Sequence, residues 1–157
     1  MQLLIENARI LAASGVIEHG WLLADNGVIL AVNAGDSPVE HSAAQVIDAG
    51  GGTLTPGFID LHVHGGDGYE AMDADPDALK SLARFYAKHG VTSFLPTTWT
   101  ATHADIMRAL DVITDLTGID TGGARILGAH VEGPYLNPAK CGAQAPALIR
   151  RASDGEL

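Results

Sequence analysis

The sequence predicts an α/β protein in which a small β unit precedes a parallel strand and helix array, either a (β/α) barrel or an open doubly wound sheet. Three observations carry that expectation. Short β-type runs crowd the chain before Pro56, with no helical period between them. Beyond Pro56, strand-like runs alternate with helix-period segments. A glycine cluster at Gly50, Gly51 and Gly52, followed by Pro56-Gly57, punctuates the change. Domains are therefore expected over residues 1–55 and 56–157, with no internal repeat and no low-complexity segment.

The elements follow in order. "LLIENARIL", "WLLAD" and "VILAV" read as strands, and Asn26-Gly27 between the last two is a tight hairpin signal, so the first unit is expected to be a small antiparallel sheet. "FIDLHVH", residues 58–64, opens the second unit. "DALKSLARFYAKHG" then reads as a helix with Asp77 as N-cap, Leu79, Leu82 and Tyr86 on one face, and Gly90 as its stop. "VTSFLPTT", residues 91–98, is the second strand. Its helix starts at a Thr102 cap, carries Ile106, Leu110 and Ile113 on one face, and stops at Gly118. "RILGAHVE", residues 125–132, is the third strand.

Strand parity bears on chemistry. Side chains alternate between faces, so Asp60, His62 and His64 share one side of 58–64 while Ile59, Leu61 and Val63 share the other. The apolar side suits covering helices, which leaves both histidines facing the interior at the carboxyl end, where barrel active sites lie. In 125–132, Leu127, Ala129 and Val131 oppose Gly128, His130 and Glu132, and the polar end is again the carboxyl end. His62, His64 and Glu132 can thus converge on a divalent metal. A His-x-His pair alone also fits surface or hydrogen-bonded core histidines, and the inward Glu132 on another strand is what favours the metal. His130 is either a group that orients a ligand or a hydrogen-bonded core histidine. His89 serves a helix end, and His19, His41 and His103 read as surface or loop residues. Asp60 lies deeper and reads as a structural hydrogen-bonding group, and "DADPD", residues 73–77, as a solvated helix entry.

Composition limits the partners. The chain has 157 residues, 46% of them hydrophobic, which is enough for one sizeable core or two small dependent domains. A formal charge of −10 sets it against nucleic acid and anionic membranes. Cys141 is the single cysteine, so no internal disulfide forms, and it reads as a plain loop thiol of a reducing compartment. With no leader-like start and no membrane-spanning run, a cytoplasmic location is expected.

"TPGFIDLHVHGG", "LPTTWTA" and "GAHVEGPYLNPAKCGAQAP" occur in an order and spacing that resemble the N-acetylglucosamine-6-phosphate deacetylase family of the amidohydrolase superfamily. The likeness spans nearly all of the chain, and "HVEGPYLN" is its most specific part. "PGFIDLHVH" is shared with amidohydrolases acting on cyclic amides or N-acyl amino acids. The resemblance implies the first three strands of a metal-dependent-hydrolase (β/α)8 barrel, of the TIM type, preceded by part of a small β-sandwich. It implies metal binding by His62, His64 and Glu132, with one or two ions, zinc first and iron, cobalt or manganese also suited. It implies hydrolysis of a phosphorylated amino sugar to glucosamine 6-phosphate and acetate, in a homo-oligomer, a dimer. A divalent ion would make water reactive, and an aspartate on a late strand, beyond residue 157, would move the proton.

A full barrel takes roughly 250 residues, so the chain is expected to be the N-terminal portion of a longer enzyme, inactive and prone to association by itself. A catalytically idle remnant acting as a binding or assembly module is the reading from another class. "GAQAP" departs from the family, whose members usually place histidine at the position of Gln144, beside the substrate acetamide. The resemblance thus makes Ala143 and Gln144 the substrate-binding candidates, with Gln144 a weaker polariser than imidazole.

Overall fold

The structure, a computed structural model, describes residues 1–39 and 45–152, so His41 lies outside the described residues. It comprises two compact units, Met1–Pro56 and Gly57–Leu157. In the first, β1 (Gln2–Ala12), β2 (Gly15–Asp25) and β3 (Val28–Ala34) form an antiparallel meander. Asn26 and Gly27 make its two-residue turn with φ of 48° and 81°, the left-handed pair that a twisted hairpin requires. The sheet is not purely antiparallel as expected, because β4 (Gln45–Asp48) and β5 (Thr53–Leu54) pair with β1 in parallel. A tight turn separates these two strands and keeps both running along the edge of β1 that β2 leaves free. Within it the Asp48 carboxylate accepts from the Gly50 N–H at 2.8 Å and from Asn7 at 3.0 Å, which holds its pKa below the ordinary carboxylate value. Leu4, Ala8, Ile10 and Trp21 form the buried side of this sheet.

The second unit opens with β6 (Phe58–Val63), a short hairpin of β7 (Gly65–Gly66) and β8 (Tyr69–Glu70), and α1 (Pro76–Lys88). β9 (Val91–Pro96), α2 (His103–Leu116) and β10 (Arg125–Ile126) complete it. The three long-range strands form one parallel sheet in the order β10, β9, β6. Asp75, rather than the expected Asp77, caps α1. Pro76 at the first helical position needs no hydrogen-bond partner, and the Asp75 carboxylate reaches the Asp77 N–H at 3.0 Å. Thr102 caps α2 as expected, through the Asp105 N–H at 3.2 Å. The buried row on α2 is Ile106, Ala109, Ile113 and Leu116, with Leu110 at its margin rather than inside it. Leu79, Leu82 and Tyr86 of α1 meet Phe94, Ile113, Leu116 and Ile126 in the core. Burying each such side chain stabilises the unit by about 1.5–3 kcal/mol.

Two strand expectations need correction. The third strand is only two residues long, because Gly128, at φ 150°, breaks the extended run that 125–132 predicts. Ile126 and Ala129 therefore both pack on the core, while Leu127 and Val131 stay exposed. On β6, Val63 alone packs against the helical layer, and Ile59 and Leu61 are 59% and 60% exposed. Among the described residues nothing pairs with the free edge of β6.

Candidate metal centre

The site lies at the carboxyl end of the parallel sheet. Between Asp60 and Val63 the register of β6 against β9 slips, and the Asp60 carboxylate accepts from the His62 N–H at 3.1 Å. A slip of this kind twists a strand and re-aims the side chains beyond it. Asp60 thus has a structural bond within the bend, and His62 and His64 emerge on the same side.

Thr97 and Thr98, at the end of β9, tie the neighbouring segments together. Thr97 Oγ1 accepts from the Val63 N–H at 2.8 Å and donates to the Leu95 carbonyl at 3.2 Å, while its carbonyl oxygen receives His64 Nδ1 at 3.1 Å. Since a carbonyl only accepts, Nδ1 carries the proton and Nε2 of the neutral ring presents a lone pair. Thr98 Oγ1 accepts from the Glu132 N–H at 3.2 Å, and its own N–H donates to the His130 carbonyl at 3.0 Å. After Glu132, Gly133 takes φ 74°, and a Cβ there would overlap Thr100 Oγ1, so the motif requires glycine.

These supports bring three donors to one point. Glu132 Oε2 lies 2.9 Å from His62 Nε2 and 3.0 Å from His64 Nε2, and the two nitrogens are 3.4 Å apart. One ion bonded at about 2.0–2.2 Å to three such atoms separates them by roughly 3–3.5 Å, so the donor set fits a borderline divalent metal in both spacing and chemistry. His64 is 21% exposed and Glu132 27%, whereas His62 is 51% exposed and faces the open side.

His130 stays outside the trio. Its Nδ1 donates to the Leu61 carbonyl at 3.1 Å, and its ring stands edge-on to His62 with centroids 4.5 Å apart. His89 caps α1 through its backbone, His103 begins α2, and His19 contacts Asp36 in the other unit. Gln144 is buried, with Oε1 accepting the Thr100 N–H at 2.6 Å, and Ala143 beside it is exposed. Tyr86 donates to the Gly65 carbonyl at 2.8 Å, and burial, then the nearby Asp60 charge, push its pKa up to about 12. Sequence reasoning missed the part played by Thr97 and Thr98. Paired hydroxyls at the end of the strand between the two ligand-bearing segments were the available signal.

Known proteins resemble the chain in sequence and in fold. The model of the amidohydrolase family matches residues 53–157. An N-acetylgalactosamine-6-phosphate deacetylase of Escherichia coli is 39% identical, over 89% of this chain and 37% of its own length. An N-acetylglucosamine-6-phosphate deacetylase of Bacillus subtilis is 35% identical, over 99% and 39%. The crystal structure of N-acetylglucosamine-6-phosphate deacetylase from Pasteurella multocida superposes with a TM-score of 0.86 at 32% identity, over 96% of this chain and 39% of that one. The chain therefore spans about two fifths of the length of these relatives. With a matching family model over most of its residues and a paired-histidine site at strand ends, the chain belongs to the amidohydrolase family.

Proposed function

We propose that the intact protein hydrolyses the acetamide of N-acetylglucosamine 6-phosphate, giving acetate and glucosamine 6-phosphate. The convergence of His62, His64 and Glu132 on one point is the observation that carries this reading, and the relatives' named activities supply the substrate class. These three residues would hold the ion, zinc first, with iron, cobalt or manganese also suited to nitrogen and oxygen donors. A divalent ion there supplies Lewis acidity, which makes water reactive at neutral pH and polarises an amide carbonyl.

The remaining work falls to the chain. Thr97 fixes the His64 tautomer, and Thr98 fixes the backbone that presents Glu132. Gln144, its oxygen committed to Thr100, has only its amide NH2 left to donate to the acetyl oxygen, and exposed Ala143 beside it is the second candidate for substrate contact. The proton required by the departing amine is assigned to a carboxylate beyond the third strand. The Escherichia coli relative favours a second reading, in which the sugar is the galactosamine epimer and the same bond is cut.

Acetate release by the metal-replete intact protein tests the proposal. Release from N-acetylglucosamine 6-phosphate that stops with a chelator and returns with zinc is the expected result, and the galactosamine epimer run beside it decides the sugar. No release from either compound contradicts the reading.

A further inference from the structure

The two ring ligands are held in different ways. The ring contacts of His62 are edge-on, to His64 and His130, while its Nε2 faces Glu132 Oε2 at 2.9 Å. His64 is fixed about two axes: its Nδ1 donates to the Thr97 carbonyl, and its face lies on the indole of Trp99 with centroids 3.7 Å apart and planes 14° from parallel. Thr97 and Trp99 both belong to the segment leaving β9, whose Thr97 and Thr98 also bond to the strand and loop on either side. The segment that sets the tautomer of His64 thus sets its ring plane as well.

The stack has an energetic consequence. Two neutral aromatic rings prefer offset or edge-on contacts, because their negative faces repel. A cationic or electron-poor ring is instead attracted to an indole face. An imidazole that has given its Nε2 lone pair to a divalent ion is such a ring, so a parallel stack favours the metal-loaded state over the empty one.

We propose that Trp99 is a positioning residue of the metal centre. Its indole holds the His64 plane so that Nε2 points at the position shared with His62 and Glu132, and it stabilises the imidazole once that nitrogen is coordinated. The inference rests on the metal reading above and adds a residue that does not itself touch the ion.

Zinc affinity of the intact protein, measured by competition with a chelating dye, and indole emission during the same titration test it together. Trp99→Leu keeps an apolar side chain but removes the ring face, and it is expected to weaken zinc binding by about tenfold or more, the cost typical of losing a group that orients a ligand. Trp99→Phe keeps a ring face and is expected to stay within about threefold of the wild type. The wild-type emission should change in proportion to zinc bound, and the change should vanish in Trp99→Phe. A folded leucine variant with unchanged zinc affinity overturns the inference. If that variant does not fold, a wild-type emission that ignores zinc overturns it instead. A wild-type protein that binds no zinc overturns the metal reading on which the inference stands.

Discussion

Gln144 shows how a side chain's partners limit its chemistry. Its oxygen accepts the buried Thr100 N–H at 2.6 Å, so the amide cannot rotate freely, and its NH2 group is the only donor it can offer a ligand. Leucine at this position leaves that N–H without an acceptor, at a cost of about 1–3 kcal/mol. Histidine can accept the same N–H at one ring nitrogen and donate from the other, with the added capacity to become cationic. Gln144→His is therefore expected to keep the stability that Gln144→Leu loses, and to raise turnover on N-acetylglucosamine 6-phosphate by about tenfold, on the order of 1.4 kcal/mol in the barrier. Denaturant unfolding and steady-state kinetics of the two variants check both halves, and unchanged turnover in Gln144→His would show that the position does not act on the carbonyl.

At the scale of elements, Tyr86 joins α1 to the β7 turn just beyond His64. Its hydroxyl donates to the Gly65 carbonyl, and its pKa is raised from 10.0 to about 12 by burial and by the Asp60 charge. Between these values the folded protein retains a phenolic proton that the unfolded chain releases, so stability falls as pH rises. The contribution is complete below about 10 and lost by about 12. Thermal unfolding across that window should show a falling midpoint, and Tyr86→Phe should remove the part of the slope that this hydroxyl causes. An identical slope in the variant would mean that another group governs it. Local signals of this kind were largely legible in the sequence: Asn26-Gly27 marks its turn, Thr102 its helix start, and His62, His64 and Glu132 their shared face. Features set by distant pairing were not. The parallel pairing of β4 with β1 depends on which edge the hairpin leaves free, and the slip at His62 depends on β9. Gly128 ends the third strand by its backbone angle, which alternation of apolar and polar residues does not reveal.

For the molecule as a whole, exposure marks what the described residues leave uncovered. Phe58, Ile59 and Leu61 are 68%, 59% and 60% exposed beside the free edge of β6, a combination that seeks another strand or helix. The first unit likewise exposes Val28, Ile29 and Leu30 in β3. The chain matches about two fifths of its deacetylase relatives, and His62, His64 and Glu132 converge toward the carboxyl end of the parallel sheet, from β6 and from the segment after β10. Whether His62, His64 and Glu132 share one ion is decided by counting ions. Metal analysis and zinc titration of the intact protein, before and after Glu132→Ala, make the measurement. Glu132→Ala is expected to lose an ion or to weaken zinc binding by more than the roughly 10–100-fold that removal of a merely supporting group costs. Unchanged stoichiometry and affinity in Glu132→Ala would contradict it.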